Sequence, residues 1–308
     1  MTTTPQARAS RISDEADVLR ALYADWAQIL RDMPELSIRL VRSLFDEWHQ
    51  AAVEPAGVTY DEGIVGGVPG IWAVPDGADR TKPLVYLHGG GFAVGSAASH
   101  RKIAAHVAKA LGVTAFVLDY RRAPEHPHPA QVEDGVAVVT ALVADGIAAS
   151  GITTIGDSAG GNLAIAVPLA LREQGAAMPG RVIAFSPWVD MENAGPTLTS
   201  NAESDALITP ELLQGMIDGV LGGTVDPATP LANPLYADFT GFPRLYVNAG
   251  SAEALLSDAT RVADRVSAAG GDVTLSVVDG MQHVFCFLAG RAPEADDEIA
   301  RVAEWYRG

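Results

Sequence analysis

Six short apolar runs alternate with stretches of helical periodicity, and that alternation narrows the fold more than any other feature of the chain. The runs fall at residues 84–87, 114–118, 153–155, 182–185, 245–248 and 273–278. Between and after them, helical spacing covers 100–111, 131–144, 160–172, 257–269 and 294–306. Strands that are apolar without alternation, and separated by helices, belong to a mostly parallel sheet covered by helices on both faces. Two further β-rich stretches, at 58–60 and 70–74, precede the first run.

Two segments stand outside this rhythm. Before any strand, Ser13 reads as an N-cap with Asp14 and Glu15 in the first turn, and Ile12, Ala16, Leu19, Tyr23, Trp26 and Leu30 follow at helical spacing. Pro34 then opens a second helix bearing Leu36, Leu40, Leu44 and Trp48. The second segment, at about 188–240, is rich in Pro and Gly and holds one short helix over 210–220 capped by Thr209. The division expected is therefore an N-terminal helical part of a cap at 1–55 and an α/β domain at 56–308, with a cap insertion at about 188–240. In α/β sheets that rim, at the carboxyl ends of the strands, is where ligands bind.

The pentapeptide Gly156-Asp157-Ser158-Ala159-Gly160 sits where a strand turns into an apolar helix. In that context G-x-S-x-G forms a nucleophile elbow, a sharp turn that projects the serine hydroxyl above the sheet. The plainer alternative is a glycine-rich turn with Ser158 as a helix cap. A second element, His88-Gly89-Gly90-Gly91-Phe92, directly follows the strand at 84–87. Backbone free of side chains can approach an oxyanion closely, so the N–H groups of Gly90 and Gly91, with that of Ala159, form a candidate oxyanion hole. A phosphate-binding loop would need G-x-G-x-x-G or GK[ST], and neither is present.

In an elbow hydrolase the acid and the histidine follow the serine in that order. Of seven histidines only His283 lies beyond Ser158. Glu253, just past the strand at 245–248, is the preferred acid; Asp258 and Asp279 stay open, although Asp258 also suits the first turn of the next helix. Other patterns carry less. Ser99-His100-Arg101-Lys102 matches S-x-x-K without its companion motifs, and Ser99 reads as an N-cap. His126 and His128 lack further ligands at zinc spacing, so no metal is assigned. Cys286 cannot form an internal disulfide and reads as a buried free thiol.

Charge and composition exclude other classes. Thirty-eight acidic side chains against 21 basic ones give a net charge of −17, and the chain has no basic face for nucleic acid. With 48% hydrophobic residues it is not a disordered acidic tail. No apolar run is long enough to span a membrane, the start of the chain has no secretion signal, and the expected location is cytoplasmic. The acidic surface points to neutral substrates over anionic ones.

Together these motifs resemble the hormone-sensitive-lipase-like branch of the α/β-hydrolases, also called bacterial family IV esterases. The resemblance runs from about Pro83 to the C-terminus. It is carried by the glycine loop, by Asp119-Tyr120-Arg121-Arg122-Ala123-Pro124-Glu125-His126-Pro127, by Gly156–Gly161, by Asn233-Pro234-Leu235, and by His283-Val284-Phe285. It implies an α/β-hydrolase fold with a helical cap. It also implies cofactor-free hydrolysis of short- to medium-chain carboxylic esters by Ser158, Glu253 and His283. Many members carry Asp-Pro-Leu at the acid; Glu253-Ala254-Leu255-Leu256 stands here, 30 residues before His283, as in a subgroup that uses glutamate. Arg122 replaces a usual leucine and His128 an aromatic residue, two departures from the family pattern in that loop. The subgroup also resembles hydrolases of cyclic esters, so lactones remain alternative substrates. An amidase or a silent ligand receptor on the same fold is a further alternative. Phe92, Trp188, Leu207 and Phe285 are candidate pocket residues, and the oligomeric state is open, a homodimer included.

Overall fold

The computed structural model describes residues 12–308; the first part of the N-terminal segment, residues 1–11, lies outside the described residues. Helices α1 (Asp17–Asp32) and α2 (Ile38–Phe45) come first. The sheet is built from β1 (Val58–Val65), β2 (Val68–Pro75) and β3 (Asp79–Leu87), then α3 (Ala97–Leu111), β4 (Val113–Leu118), α4 (Ala130–Ala144), β5 (Thr153–Asp157), α5 (Ala159–Glu173) and β6 (Arg181–Phe185). An excursion follows with α6 (Thr197–Ser200) and α7 (Pro210–Leu221), before β7 (Arg244–Gly250), α8 (Leu256–Ala268), β8 (Val273–Val278) and α9 (Pro293–Arg307).

The eight strands lie in the order β1-β2-β4-β3-β5-β6-β7-β8. Pairings β1–β2 and β2–β4 are antiparallel and all others parallel. The inner strands are buried along almost their whole apolar length, as sheets covered on both faces require. This is an α/β-hydrolase fold. Its strands β3, β5, β7 and β8 all deliver their carboxyl ends, and the loops that carry the candidate residues, to one rim.

The structure corrects three local readings. Pro34 does not open the second helix: it lies in a turn closed by Leu36 N–H to the Met33 carbonyl, and α2 starts only after extended Ser37. Ser99 is not the cap of α3. Extended Ser96 caps it, accepting from Ser99 N–H at 3.1 Å, while the Ser99 hydroxyl accepts from Ser96 N–H in a reciprocal box. The excursion holds a second helix, α6, whose single turn is too short to show periodicity. Thr209 does cap α7. Among the described residues no helix is long and apolar enough to cross a membrane.

The N-terminal helices are bonded to the end of the chain. Ser13 donates from both its main-chain N–H and its hydroxyl to Glu294 at 2.7 Å. Trp48 stacks on Phe287 with ring centroids 5.4 Å apart. Arg291 donates to the Ala51 and Gln50 carbonyls, and Val53 N–H donates to Ala289.

Candidate active site

Strand β5 ends at Asp157 and α5 begins at Ala159, so Ser158 alone makes the turn, at φ 53 and ψ −121. A non-glycine residue there is strained and is held by its surroundings. Two glycines make the turn possible: a Cβ on Gly156 would stand 2.2 Å from the Gly160 carbonyl oxygen, and one on Gly160 would stand 2.0 Å from that of Leu87. Ser158 N–H donates to Phe185 at 2.9 Å, and Trp188 N–H donates to the Ser158 carbonyl at 3.0 Å. The Ser158 side chain makes no cap bond to α5, so the plain capping alternative is not what is formed.

The glycine loop leaves β3 beside this elbow. Gly90, Gly91 and Phe92 have φ of 106, 58 and 61, and the Gly90 carbonyl accepts from Ala93 and Val94. Among the described residues, the N–H groups of Gly90, Gly91 and Ala159 donate to no backbone acceptor. Asp157, buried next to the serine, ties the two elements together. Its carboxylate accepts from Tyr86 at 2.8 Å and from Gly89 N–H at 3.3 Å, and lies 3.4 Å from His100 Nε2. His88 stacks on Tyr120 at 4.1 Å; burial, then the neighbouring His100, holds it well below the ordinary histidine range.

Across the rim, His283 Nδ1 and Glu253 Oε2 are 2.6 Å apart, with the two side chains 3% and 0% exposed. Glu253 Oε1 accepts Gly250 N–H at 2.8 Å. The other two carboxylates are engaged elsewhere. Asp258 accepts Val189 and Asp190 N–H and pairs with Arg261 at 2.9 Å; Asp279 accepts from Ser251 at 2.9 Å. Burial pushes the Glu253 carboxyl up, against the pull of His283. For His283 burial acts downward, but the hydrogen bond and charge of Glu253 outweigh it, and the imidazole is raised above its ordinary value. No hydrogen bond joins the Ser158 hydroxyl to His283 among the described residues. Catalytic bonds of unliganded hydrolases often tighten only around substrate. The two residues share an anchor instead: Ser186, next to the carbonyl that holds Ser158, accepts Val284 N–H at 3.0 Å and donates its own N–H to Asn248.

Of the proposed pocket residues, Phe92 and Trp188 approach each other at 5.7 Å, and Trp188 and Leu207 are buried. Phe285 lines a separate cavity of about 230 Å³ with Ala16, Leu19, Met281 and Leu288. A cavity of about 890 Å³ opens at the opposite end of the strands, by Lys82 and Arg181, and none of the candidate residues lines it. Among the described residues no group of three or more metal-ligating side chains is assembled.

Several contributors were not legible as site residues. Tyr23, Asn201 and Asp205 bond the loops of Glu253 or His283, and Gln282, itself in the loop of His283, bonds Ala206 and Ser204 of the excursion. Only Asp157 had a usable signal, its place inside the elbow pentapeptide; the rest depend on contacts between 49 and 260 residues apart.

A family described as alpha/beta hydrolase fold matches residues 84–287. The chain is 37% identical over 292 residues to an acetyl-hydrolase of Streptomyces hygroscopicus, spanning 89% of this chain and 96% of that one. It is 34% identical to an esterase of Acinetobacter venetianus, over 74% of this chain and 75% of that one. A crystal structure of an esterase from the bacterial hormone-sensitive lipase family superposes with a TM-score of 0.91 at 38% identity, covering 97% of this chain and 99% of that chain. A mutant of the esterase E40 gives 0.92 at 39% identity, covering 96% and 98%. On these matches the chain belongs to the α/β-hydrolase fold family as a hormone-sensitive-lipase-like member.

Proposed function

We propose that the protein hydrolyses short- to medium-chain carboxylic esters, with Ser158 as nucleophile, His283 as general base and Glu253 as the carboxylate that orients it. The observation that carries this reading is the 2.6 Å Glu253–His283 pair on the same rim as the strained Ser158 elbow. Relatives named acetyl-hydrolase and esterase support the substrate class. On this reading His283 takes the Ser158 proton as the hydroxyl oxygen attacks the ester carbonyl, and Glu253 stabilises the imidazolium. The developing oxyanion is received by the N–H groups of Gly90, Gly91 and Ala159, each worth about 3 kcal/mol of transition-state stabilisation. His283 then protonates the leaving alcohol, and water repeats the sequence on the acyl-enzyme. Residues 1–55 and about 188–240 form the cap, the protein uses a glutamate in the triad, and it works in the cytoplasm with its single Cys286 reduced.

Ser158→Ala tests the reading directly. Turnover of p-nitrophenyl acetate and butyrate falls by roughly 10⁴-fold or more, and a fluorophosphonate probe labels the parent protein at Ser158 but not the variant. Retained turnover or labelling elsewhere would overturn it.

A further inference from the structure

The segment between α6 and the cap of α7 touches the loops of both Glu253 and His283. Asn201 Nδ2 donates to the Ser251 and Glu253 carbonyls at 3.0 and 2.9 Å. The Ser204 hydroxyl donates to Ala252 at 2.8 Å. Gln282, beside the base, accepts Ala206 N–H at 2.9 Å and donates to the Ser204 carbonyl at 2.8 Å. At the centre stands Asp205, 8% exposed. One of its oxygens accepts Ala254 N–H at 2.7 Å, the residue after the acid. The other accepts Leu207 and Ile208 N–H at 2.9 and 2.8 Å, the last residues before Thr209 caps α7.

We propose that Asp205 is a positioning residue: one carboxylate oxygen fixes the loop of Glu253, the other fixes the lead-in to α7, and the acid–base pair and the cap helix are thereby held as one unit. The inference rests on the hydrolase reading and extends it to a residue that touches neither substrate nor nucleophile. Its chemistry explains why an acid occupies this place. Three converging N–H groups on two separate strands of chain need an acceptor at each end, and a carboxylate offers both without a competing donor. An asparagine would present one oxygen and turn an NH₂ group against the N–H on the other side.

Asp205 also adds negative charge near the imidazole. The charged or titratable groups facing His283 are Glu253 from the loop after β7, Asp205 from the excursion, Asp157 from β5 and the Tyr23 hydroxyl from α1. Removing one carboxylate makes the imidazolium less favourable, so its titration moves down.

The test is a proton NMR titration of His283 in a Ser158→Ala background, together with kcat and KM for p-nitrophenyl acetate in the otherwise intact chain. Asp205→Asn lowers the His283 midpoint by about one pH unit, carries the acidic limb of kcat/KM down with it, and reduces kcat about tenfold with KM within twofold. Asp205→Glu keeps the charge but changes the reach; its midpoint stays while kcat falls. Asp218→Asn, an exposed acid on α7, changes neither quantity. A folded Asp205→Asn with an unmoved midpoint, or either Asp205 variant with undiminished kcat, overturns the proposal. A moving midpoint in a protein that hydrolyses no ester would sink the hydrolase reading and leave the role of Asp205 standing.

Discussion

The Tyr23 hydroxyl, carried on the first helix, donates to the main-chain carbonyl of His283 at 3.0 Å across 260 residues of sequence. Trp48 Nε1 donates in turn to that hydroxyl at 3.3 Å. All three residues are buried, so a carbonyl or an indole N–H left unpaired here stays unpaired. Tyr23→Phe keeps the ring against Trp26 and removes only the oxygen. It lowers unfolding free energy by about 1–3 kcal/mol and kcat several-fold, read by urea denaturation and p-nitrophenyl butyrate kinetics; parental values in both would refute the coupling.

Glu253 and Asp258 are separated by consequence. Glu253→Gln preserves volume but withdraws the charge from the imidazole, and kcat falls by roughly 10³–10⁴-fold with little change in melting temperature. Asp258→Ala leaves two N–H groups without their acceptor and Arg261 with Asp190 as its remaining carboxylate. It costs about 1–3 kcal/mol of stability while the folded fraction keeps kcat within a few-fold. Swapped outcomes would make Asp258 the acid.

On the proposed mechanism His283 must be neutral to take the serine proton. Because Glu253 raises His283 above its ordinary value against the opposing effect of burial, the imidazole stays charged to higher pH. The acidic limb of kcat/KM is therefore centred above about 6.5, with activity gained as pH rises through it. In Glu253→Gln the residual activity has its limb shifted to lower pH. A parental limb centred below about 6 would contradict the pairing.

Glycines in two places make opposite predictions. A Cβ on Gly91, at φ 58, would stand 1.9 Å from Met216 Sδ on α7. Gly91→Ala keeps the N–H yet disturbs the loop, so ester turnover drops by roughly tenfold or more, a transition-state loss above about 1.4 kcal/mol. Adding Met216→Ala restores part of it, the remainder being left-handed strain of about 1–2 kcal/mol. On the same helix a Cβ at Gly215 or Gly219 meets nothing within 4 Å. Gly215→Ala and Gly219→Ala each stabilise by about 0.5–1 kcal/mol, measured as a rise in melting temperature; a fall would mean that α7 needs those glycines.

What could be read from residues alone was local or periodic. The strand-to-helix elbow at Gly156–Gly160 and the glycine loop after β3 are written in consecutive residues, and the buried strands in uninterrupted apolar runs. Thr209 before α7 is a cap with a proline behind it, and it was legible for that reason. Ser99 misled because the two serines of a reciprocal box lie three positions apart, and only the extended backbone of Ser96 decides which one caps. Pro34 misled because its fixed φ suits a turn as well as a first helical position. Asp205 and Tyr23 look like ordinary loop and helix residues until the chain has folded back on itself.

The bonds between the N-terminal helices and the end of the chain also set an order of assembly. Ser13, Tyr23, Trp48 and Val53 find their partners at Glu294, His283, Phe287 and Ala289. Residues 42–56 also dock on α3 and the loops around it, through Arg42 to Ala93, Arg101 to Glu54 and Trp48 against His100, so it is Ser13 and Tyr23 whose bonds wait for the later segments. Sheet strands can pair as they are made, one after another, but the buried hydroxyl of Tyr23 lacks its carbonyl acceptor until the loop of His283 is in place. A chain halted after β8 would hold its serine elbow and glycine loop but neither His283 nor the carbonyl that anchors Tyr23. On the proposed mechanism such a truncated product would be inert, not a poorly controlled hydrolase.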